Sequence, residues 1–301
     1  MNQLELLKSK LKEEQIPFRT DHPLEAHTSF RIGGPADIFC QPETEEELKR
    51  VLELCRETGV RHYLLGNGSN TLFSDQGFRG AVVSTRSLDQ APEFRETEVS
   101  CPAGLSLNLL CRAALDRELS GLEFAYGIPG SVGGAVYMDA GAYGGEMKDV
   151  LVSVTFLDEE NKIQTLPVEE LELGYRTSIF QKRDWTILSA RLRLKQGDPV
   201  AIKQRMDELM ASRREKQPLE YPSAGSTFKR PEGAFAGALI QQCGLRGYRV
   251  GGAAISEKHC GFVVNLGGAT CADVTRLCEE VAEVVQKQTG YLLEREIKIV
   301  E

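Results

Sequence analysis

The stretch GIPGSVGGAVYMDAGAYGG, residues 127–145, decides how the rest of the chain is read. It holds seven of the 29 glycines within 19 residues, and nearly every other side chain in it is small. Such a segment cannot fill a core, but it lets backbone approach a flat ring system or a diphosphate closely. A second glycine loop, Gly66-Asn67-Gly68-Ser69-Asn70, follows the apolar run RHYLL at 61–65. Two glycines around an asparagine permit positive φ, so successive N–H groups can turn inward around an anion, with Ser69 and Asn70 adding side-chain donors. This is not a Rossmann fingerprint. The third glycine is missing, and TLFSDQGFRG behind the loop does not read as a helix start. Two anion-cradling loops without that geometry favour FAD over a tightly bound NAD.

Outward from these loops, the pattern mixes helices and strands. Leu4, Leu7 and Leu11 recur at helical spacing over 2–15 until Pro17, and 43–58 repeats the pattern with Leu48, Val51, Leu52 and Cys55 before Gly59. Strands are expected at 61–65, 81–85, 150–157 and 186–194, and a helix at 106–119. Gln196-Gly197-Asp198-Pro199 is the best linker candidate. Beyond it come a helix near 200–213, a helix-like run at 234–243, strands GGAAI and GFVVNL, an amphipathic helix at 271–288 and a last strand LLEREIKIV at 292–300. No strict alternation of strand and helix is present, which favours α+β over a doubly wound sheet.

At 301 residues the chain is long enough for about two domains. Its 36 basic and 44 acidic residues give a net charge of −8, a surface that repels phosphate backbones and argues against nucleic acid as partner. Eight cysteines contain no Cys-x-x-Cys pair, so scattered free thiols in a reducing compartment are expected. The N-terminal residues carry charges every few positions, and no run approaches membrane-spanning length, so a cytoplasmic protein without a membrane partner is expected.

Other constellations are local. Gly174-Tyr175-Arg176-Thr177-Ser178 presents an arginine suited to two-pronged binding of a carboxylate. PSAGSTFKRP at 222–231 carries Ser226 behind a glycine, but no Gly-x-Ser-x-Gly elbow exists and His22, His27, His62 and His259 form no triad pattern. Arg213-Arg214-Glu215-Lys216 is a basic cluster at a helix end that could receive a diphosphate. Glu294 and Glu296 alternate along the expected last strand and so share a face. No histidine or cysteine spacing suggests a metal site.

Taken in order, HTSFRIGGPAD (27–37), LLGNGSN (64–70), the 127–145 segment, GYRTS (174–178), PSAGSTFKRP, GGAAISEKHCGFVVN (251–265) and LEREIKIV (293–300) resemble the UDP-N-acetylenolpyruvoylglucosamine reductase (MurB) family. The resemblance runs from residue 23 to the end. It implies an α+β fold: an FAD-binding region of the vanillyl-alcohol-oxidase (PCMH) type at 1–197, made of two α+β subdomains at 1–85 and 86–197, and a C-terminal α+β substrate-binding domain at 198–301. It also implies an NADPH-dependent reduction of the enolpyruvyl ether of a UDP-sugar to the lactyl ether in peptidoglycan synthesis, with non-covalent FAD. The resemblance carries no preference on assembly, and a monomer is the expectation.

By match to the motifs, Arg176, Ser226 and Glu296 are the catalytic candidates. Arg176 grips the carboxylate, Ser226 protonates C2 and Glu296 completes the site. Gly66, Asn67, Gly68, Ser69, Asn70, Gly127, Ile128, Pro129, Gly130, Ser131, Gly133, Gly134, Ala135 and Gly141 are the cofactor-binding candidates. Tyr175, Arg213, Arg214, Lys229 and His259 are the substrate-binding candidates. Two departures stand out. Asp139 occupies a position where the family usually has Asn, and the chain is short between Arg176 and Ser226, as in the compact form of the family that lacks an extra tyrosine-bearing loop.

Overall fold

Helix boundaries follow the capping chemistry. Thr44 accepts the Glu47 N–H and opens the helix Glu45–Thr58, three glutamates fill its first turn, and Gly59 closes it at φ +68. Thr270 and Asp273 form a reciprocal capping box at the start of Cys271–Thr289, which ends at Gly290 with φ +78. The computed structural model describes residues 2–301. By packing they form two units. The first takes residues up to Thr20, Ile38–Asn67 and Gly80–Ser212, and the second takes Asp21–Asp37, Gly68–Arg79 and Arg213–Glu301.

The first unit holds two separate cores. One gathers Leu7 and Leu11 of the helix Gln3–Glu13, Leu48, Val51, Leu52 and Cys55 of Glu45–Thr58, and Ala81 and Val83. The strands beneath are ordered Phe18–Pro23, Pro35–Cys40, Phe78–Ser84, His62–Leu65, with the last two parallel. The other core is larger. Its antiparallel five-stranded sheet is ordered Ile163–Pro167, Leu151–Leu157, Thr186–Arg193, Glu98–Pro102, Glu93–Arg95, and it is packed by Leu107, Leu110, Val132, Val136 and Met206.

The second unit has its own antiparallel sheet, ordered Ser223–Ser226, Phe262–Asn265, Ala253–Ile255, Arg249–Val250. Val274, Leu277, Cys278, Val281 and Val285 of the long C-terminal helix pack its core with Leu239 and Ile240. The two early segments belong here through specific bonds. Ser29 N donates to Gly68 O, and the Asp75 carboxylate accepts the Cys271 and Ala272 N–H groups at 2.7 and 3.0 Å, the first free amides of the helix.

Three expectations need correction. Residues 196–199 do not break the packing. Lys195–Gln196 pairs with Leu119–Ser120 and Asp198 opens the helix Pro199–Lys216, so the units divide at Ser212 instead. The glycine segment is not all loop, because Ser131 accepts the Gly134 N–H and caps a short helix, Val132–Tyr137. The last strand spans only Lys298–Val300, parallel to Thr71–Phe73. Residues 294–296 pair with a different neighbour: Lys229 N donates to Glu294 O, Glu296 N donates to Thr227 O, and Phe228 bridges Arg295. The chain changes partner within one apolar-polar alternation, which periodicity alone does not report. Glu294 lies exposed and ion-paired to Lys229 at 3.2 Å, while Glu296 is half-buried.

All eight cysteines are free, seven of them buried, and burial pushes the Cys40, Cys55, Cys101 and Cys278 thiols up to about 12. Among the described residues no helix is long and apolar enough to cross a membrane, and no group of three His, Cys, Asp or Glu could hold a metal.

Candidate active site

The two glycine loops, far apart in the chain, touch within the first unit. Asn67 Nδ2 donates to Pro129 O at 3.4 Å, and a Cβ on Gly66 would lie 2.8 Å from Ser131 Oγ. A Cβ on Gly133 would lie 2.8 Å from the Ala103 Cβ and 3.2 Å from its carbonyl oxygen. At Gly133 the backbone can come this close only as glycine, whereas a Cβ at Gly66 would have to displace the Ser131 hydroxyl.

Three amides at the start of the short helix are taken by the protein: Val132 N donates to Leu105 O, Gly133 N to Ala103 O, and Gly134 N to Ser131 Oγ. The candidate cradle is therefore the turn ahead of the helix, from Gly127 (φ +87, N–H on Asn108 Oδ1 at 2.7 Å) through Ile128, Pro129 and Gly130 to Ser131, more than the helix terminus itself. Ala135 is buried behind it, and Gly141 starts a hairpin, Gly141–Ala142 with Gly145–Glu146, turned by Tyr143 and Gly144 at positive φ. Gly68, Ser69 and Asn70 belong to the second unit. There Gly68 (φ +62) is pressed against His27 O, which a Cβ would meet at 2.2 Å.

Arg176 sits at the tip of a two-residue turn closed by Gly174 N to Thr177 O at 3.2 Å and Thr177 N to Gly174 O at 2.9 Å. Its φ is +58, a conformation side-chain-bearing residues seldom adopt and one that concentrates at functional sites. Gln181 holds it there. Its Nε2 donates to Arg176 O at 3.0 Å and to Tyr137 O at 2.8 Å, and Ser178 Oγ donates to the same Tyr137 oxygen at 2.7 Å. Tyr137 ends the short helix, so its carbonyl lacks a helical donor and receives these two instead. The arginine turn is thereby tied to the glycine segment. The Arg176 guanidinium carbon lies 5.3 Å from the ring centre of half-exposed Tyr175.

In the second unit Ser226 and Glu296 come together through one residue. Thr227 follows Ser226, and its carbonyl accepts the Glu296 N–H at 2.8 Å. Asn70 Nδ2 donates to the Glu296 carbonyl at 3.2 Å and Asn70 O accepts Lys298 N, which brings the end of the first glycine loop to the same place. Gly225 precedes Ser226 at φ +74, and a Cβ there would meet nothing within 4 Å, so the backbone angle, not space, requires glycine.

The basic helix end divides sharply. Arg213 is 5% exposed, unusual for an arginine, while Arg214 faces solvent and its carbonyl accepts Lys258 Nζ at 2.7 Å. His259 Nδ1 accepts the Gly261 N–H at 3.1 Å, which leaves the ring proton on Nε2; burial lowers its pKa, so the neutral ring persists. Asp139 is fully buried at φ +39. Its Oδ1 accepts Lys148 N at 3.0 Å, its Oδ2 accepts no hydrogen bond, and burial raises its pKa. Sequence reasoning missed Gln181, Thr227 and Lys258. Each lies beside a motif residue, yet their roles depend on a partner distant in sequence or on a backbone angle.

A family model described as FAD binding domain matches residues 36–167, and the glycine-rich segment lies within it. The fold is that of an FAD-binding α+β protein, and a berberine bridge enzyme variant shares it at a TM-score of 0.51 and 15% identity over 64% of this chain and 44% of its own. A second model, UDP-N-acetylenolpyruvoylglucosamine reductase, C-terminal domain, matches residues 217–300. Two reductases of that name are similar over most of their length. The one from Caldanaerobacter subterraneus is 47% identical, covering 98% of this chain and 98% of its own, and that from Clostridioides difficile is 48% identical, covering 96% and 94%. The crystal structure of UDP-N-acetylenolpyruvylglucosamine reductase (MurB) from Thermus caldophilus matches with a TM-score of 0.80 and 36% identity, over 95% of this chain and 99% of that one. The chain belongs to the UDP-N-acetylenolpyruvoylglucosamine reductase family.

Proposed function

We propose that this protein uses NADPH to reduce the enolpyruvyl ether of UDP-N-acetylglucosamine to UDP-N-acetylmuramate, a cytoplasmic step of peptidoglycan synthesis. The observation that carries the reading is Arg176, held at positive φ and bonded through Gln181 to Tyr137, the end of the short helix in the glycine-rich segment. The cofactor is held without a covalent bond by Gly66, Asn67, Gly68, Ser69 and Asn70 and by the 127–141 residues named above. When bound, FAD supplies the hydride, taken from NADPH and delivered to C3 of the enolpyruvyl double bond.

The chain's own residues handle the charge this creates. Negative charge develops on C2 and the adjacent carboxylate, and a fixed guanidinium aimed there lowers the barrier most because it need not reorganise. Arg176 takes the carboxylate in a two-pronged contact for which a lysine is a poor substitute. The Ser226 hydroxyl donates its proton to C2, a carbon basic enough at that moment to take it. Glu296 completes the site near the substrate carboxylate, and the repulsion between two carboxylates is relieved by a nearby positive charge or by a proton on Glu296. By the motif match, Arg213, Arg214 and Lys229 are assigned to the diphosphate, and Tyr175 and His259, through its Nε2–H, to other parts of the substrate.

Ser226→Ala tests the reading. Flavin reduction by NADPH is expected to stay near wild type, while reoxidation by the enolpyruvyl sugar nucleotide slows by about 10²–10⁴-fold. Equal losses in both half-reactions would remove Ser226 as proton donor.

A further inference from the structure

The strand Ser223–Ser226 does not run evenly along Phe262–Asn265. Ser223 stands opposite Val264 and Ser226 opposite Phe262, so three steps on one strand answer two on the other. The extra residue is a β-bulge, and Gly225 at φ +74 provides the left-handed residue such a bulge uses. Bulges re-aim the side chain that follows, here Ser226. They also interrupt the ladder, which places the Val263 N–H in the gap. That N–H donates to Thr227 Oγ1 at 2.9 Å.

Thr227 is 1% exposed, and its main chain is committed on both sides. Its N–H donates to Gly261 O at 2.8 Å, beyond the bulge, and its carbonyl accepts the Glu296 N–H at 2.8 Å. One residue thus closes the bulge beside Ser226 and fixes the backbone of Glu296.

We propose that Thr227 is a positioning residue: its hydroxyl completes the ladder that the Gly225 bulge interrupts, and so sets the aim of Ser226 and the seat of Glu296. This rests on the catalytic reading of those two residues given above. Valine keeps the shape and removes the acceptor, leaving a buried N–H unsatisfied, whereas serine keeps the acceptor.

In the flavin-loaded enzyme, Thr227→Val is expected to slow reoxidation by the enolpyruvyl substrate about 10–100-fold with flavin reduction by NADPH unchanged, and Thr227→Ser to restore it. In wild-type hydrogen exchange, Val263 and Glu296 amides should exchange as slowly as their ladder neighbours. Equal slowing of both half-reactions by valine, failure of serine to rescue, or a Val263 amide that exchanges like an exposed loop overturns the proposal. Should Thr227→Val not fold, the serine variant and the exchange measurement decide. Wild-type protein that passes no hydride to the enolpyruvyl substrate refutes the functional reading instead, and the exchange rates still decide whether Thr227 closes the bulge.

Discussion

Gly133 and Gly225 belong to the two motifs most suggestive of function, and they are glycine for opposite reasons. At Gly133 the backbone lies so close to Ala103 that a Cβ has no room. At Gly225 there is open space, and only the φ of +74 excludes other residues. The first unit uses glycine to press the main chain of the short helix against Ala103. The second uses it to bend a strand so that Ser226 leaves the regular ladder. Space governs the glycine at 133 and conformation the glycine before Ser226, so equivalent substitutions should fail in different ways.

The contrast is sharpened first from the side of Arg176, which shares the first unit with the cradle. Arg176→Met should cut the rate of flavin reoxidation by the enolpyruvyl substrate about 10²–10³-fold and leave flavin content unchanged, as read by rapid mixing and absorbance. Loss of flavin with activity would make the arginine part of the cradle.

The glycine pair follows. Gly133→Ala should lose about 1–3 kcal/mol of stability through overpacking and lose bound flavin with it. Gly225→Ala should cost about 1–2 kcal/mol for its left-handed backbone, keep its flavin, and slow the substrate half-reaction about tenfold. Thermal melts, flavin content and stopped-flow rates on the two proteins check this. A Gly225→Ala protein that loses flavin, or a Gly133→Ala protein that keeps both flavin and melting temperature, breaks the comparison.

Asp139 gives the smallest effect. A carboxyl whose pKa is raised by burial penalises the fold above that pKa, and the penalty disappears as pH falls toward the unfolded value near 4. Asparagine keeps the acceptor for Lys148 N, gives up only the long 3.9 Å ion pair between Oδ2 and Lys148 Nζ, and tolerates φ +39. Asp139→Asn should therefore raise the melting temperature at pH 7 by a few degrees, with the gain shrinking as pH falls through the acidic range. A pH-independent gain would assign it to hydrogen bonding alone.

Much of the architecture was legible because it is local. Thr44 and Gly59 bracket one helix, and the 3.6-residue spacing of Val274, Leu277, Cys278, Val281 and Val285 marks another. Features set by distant partners were not. The run at 292–300 alternates like one strand, yet its first half pairs with 227–229 and its end with Thr71–Phe73. The packing of 21–37 and 68–79 with the C-terminal residues depends on bonds such as Asp75 to Cys271 N. The family motifs single out Arg176, Ser226 and Glu296 as candidates. No residue type announced the positive φ of Arg176, since arginine carries no such signal, and Gln181 reads as an ordinary surface amide until its two carbonyl partners are seen.

The most direct test is an anaerobic titration of the purified wild-type protein followed at the flavin absorbance. One equivalent of NADPH should bleach the flavin, and one equivalent of the enolpyruvyl sugar nucleotide, with oxygen absent, should restore the colour and yield the lactyl ether. Flavin that bleaches but regains colour only when oxygen is admitted would mark an oxidase on the same fold and contradict the account.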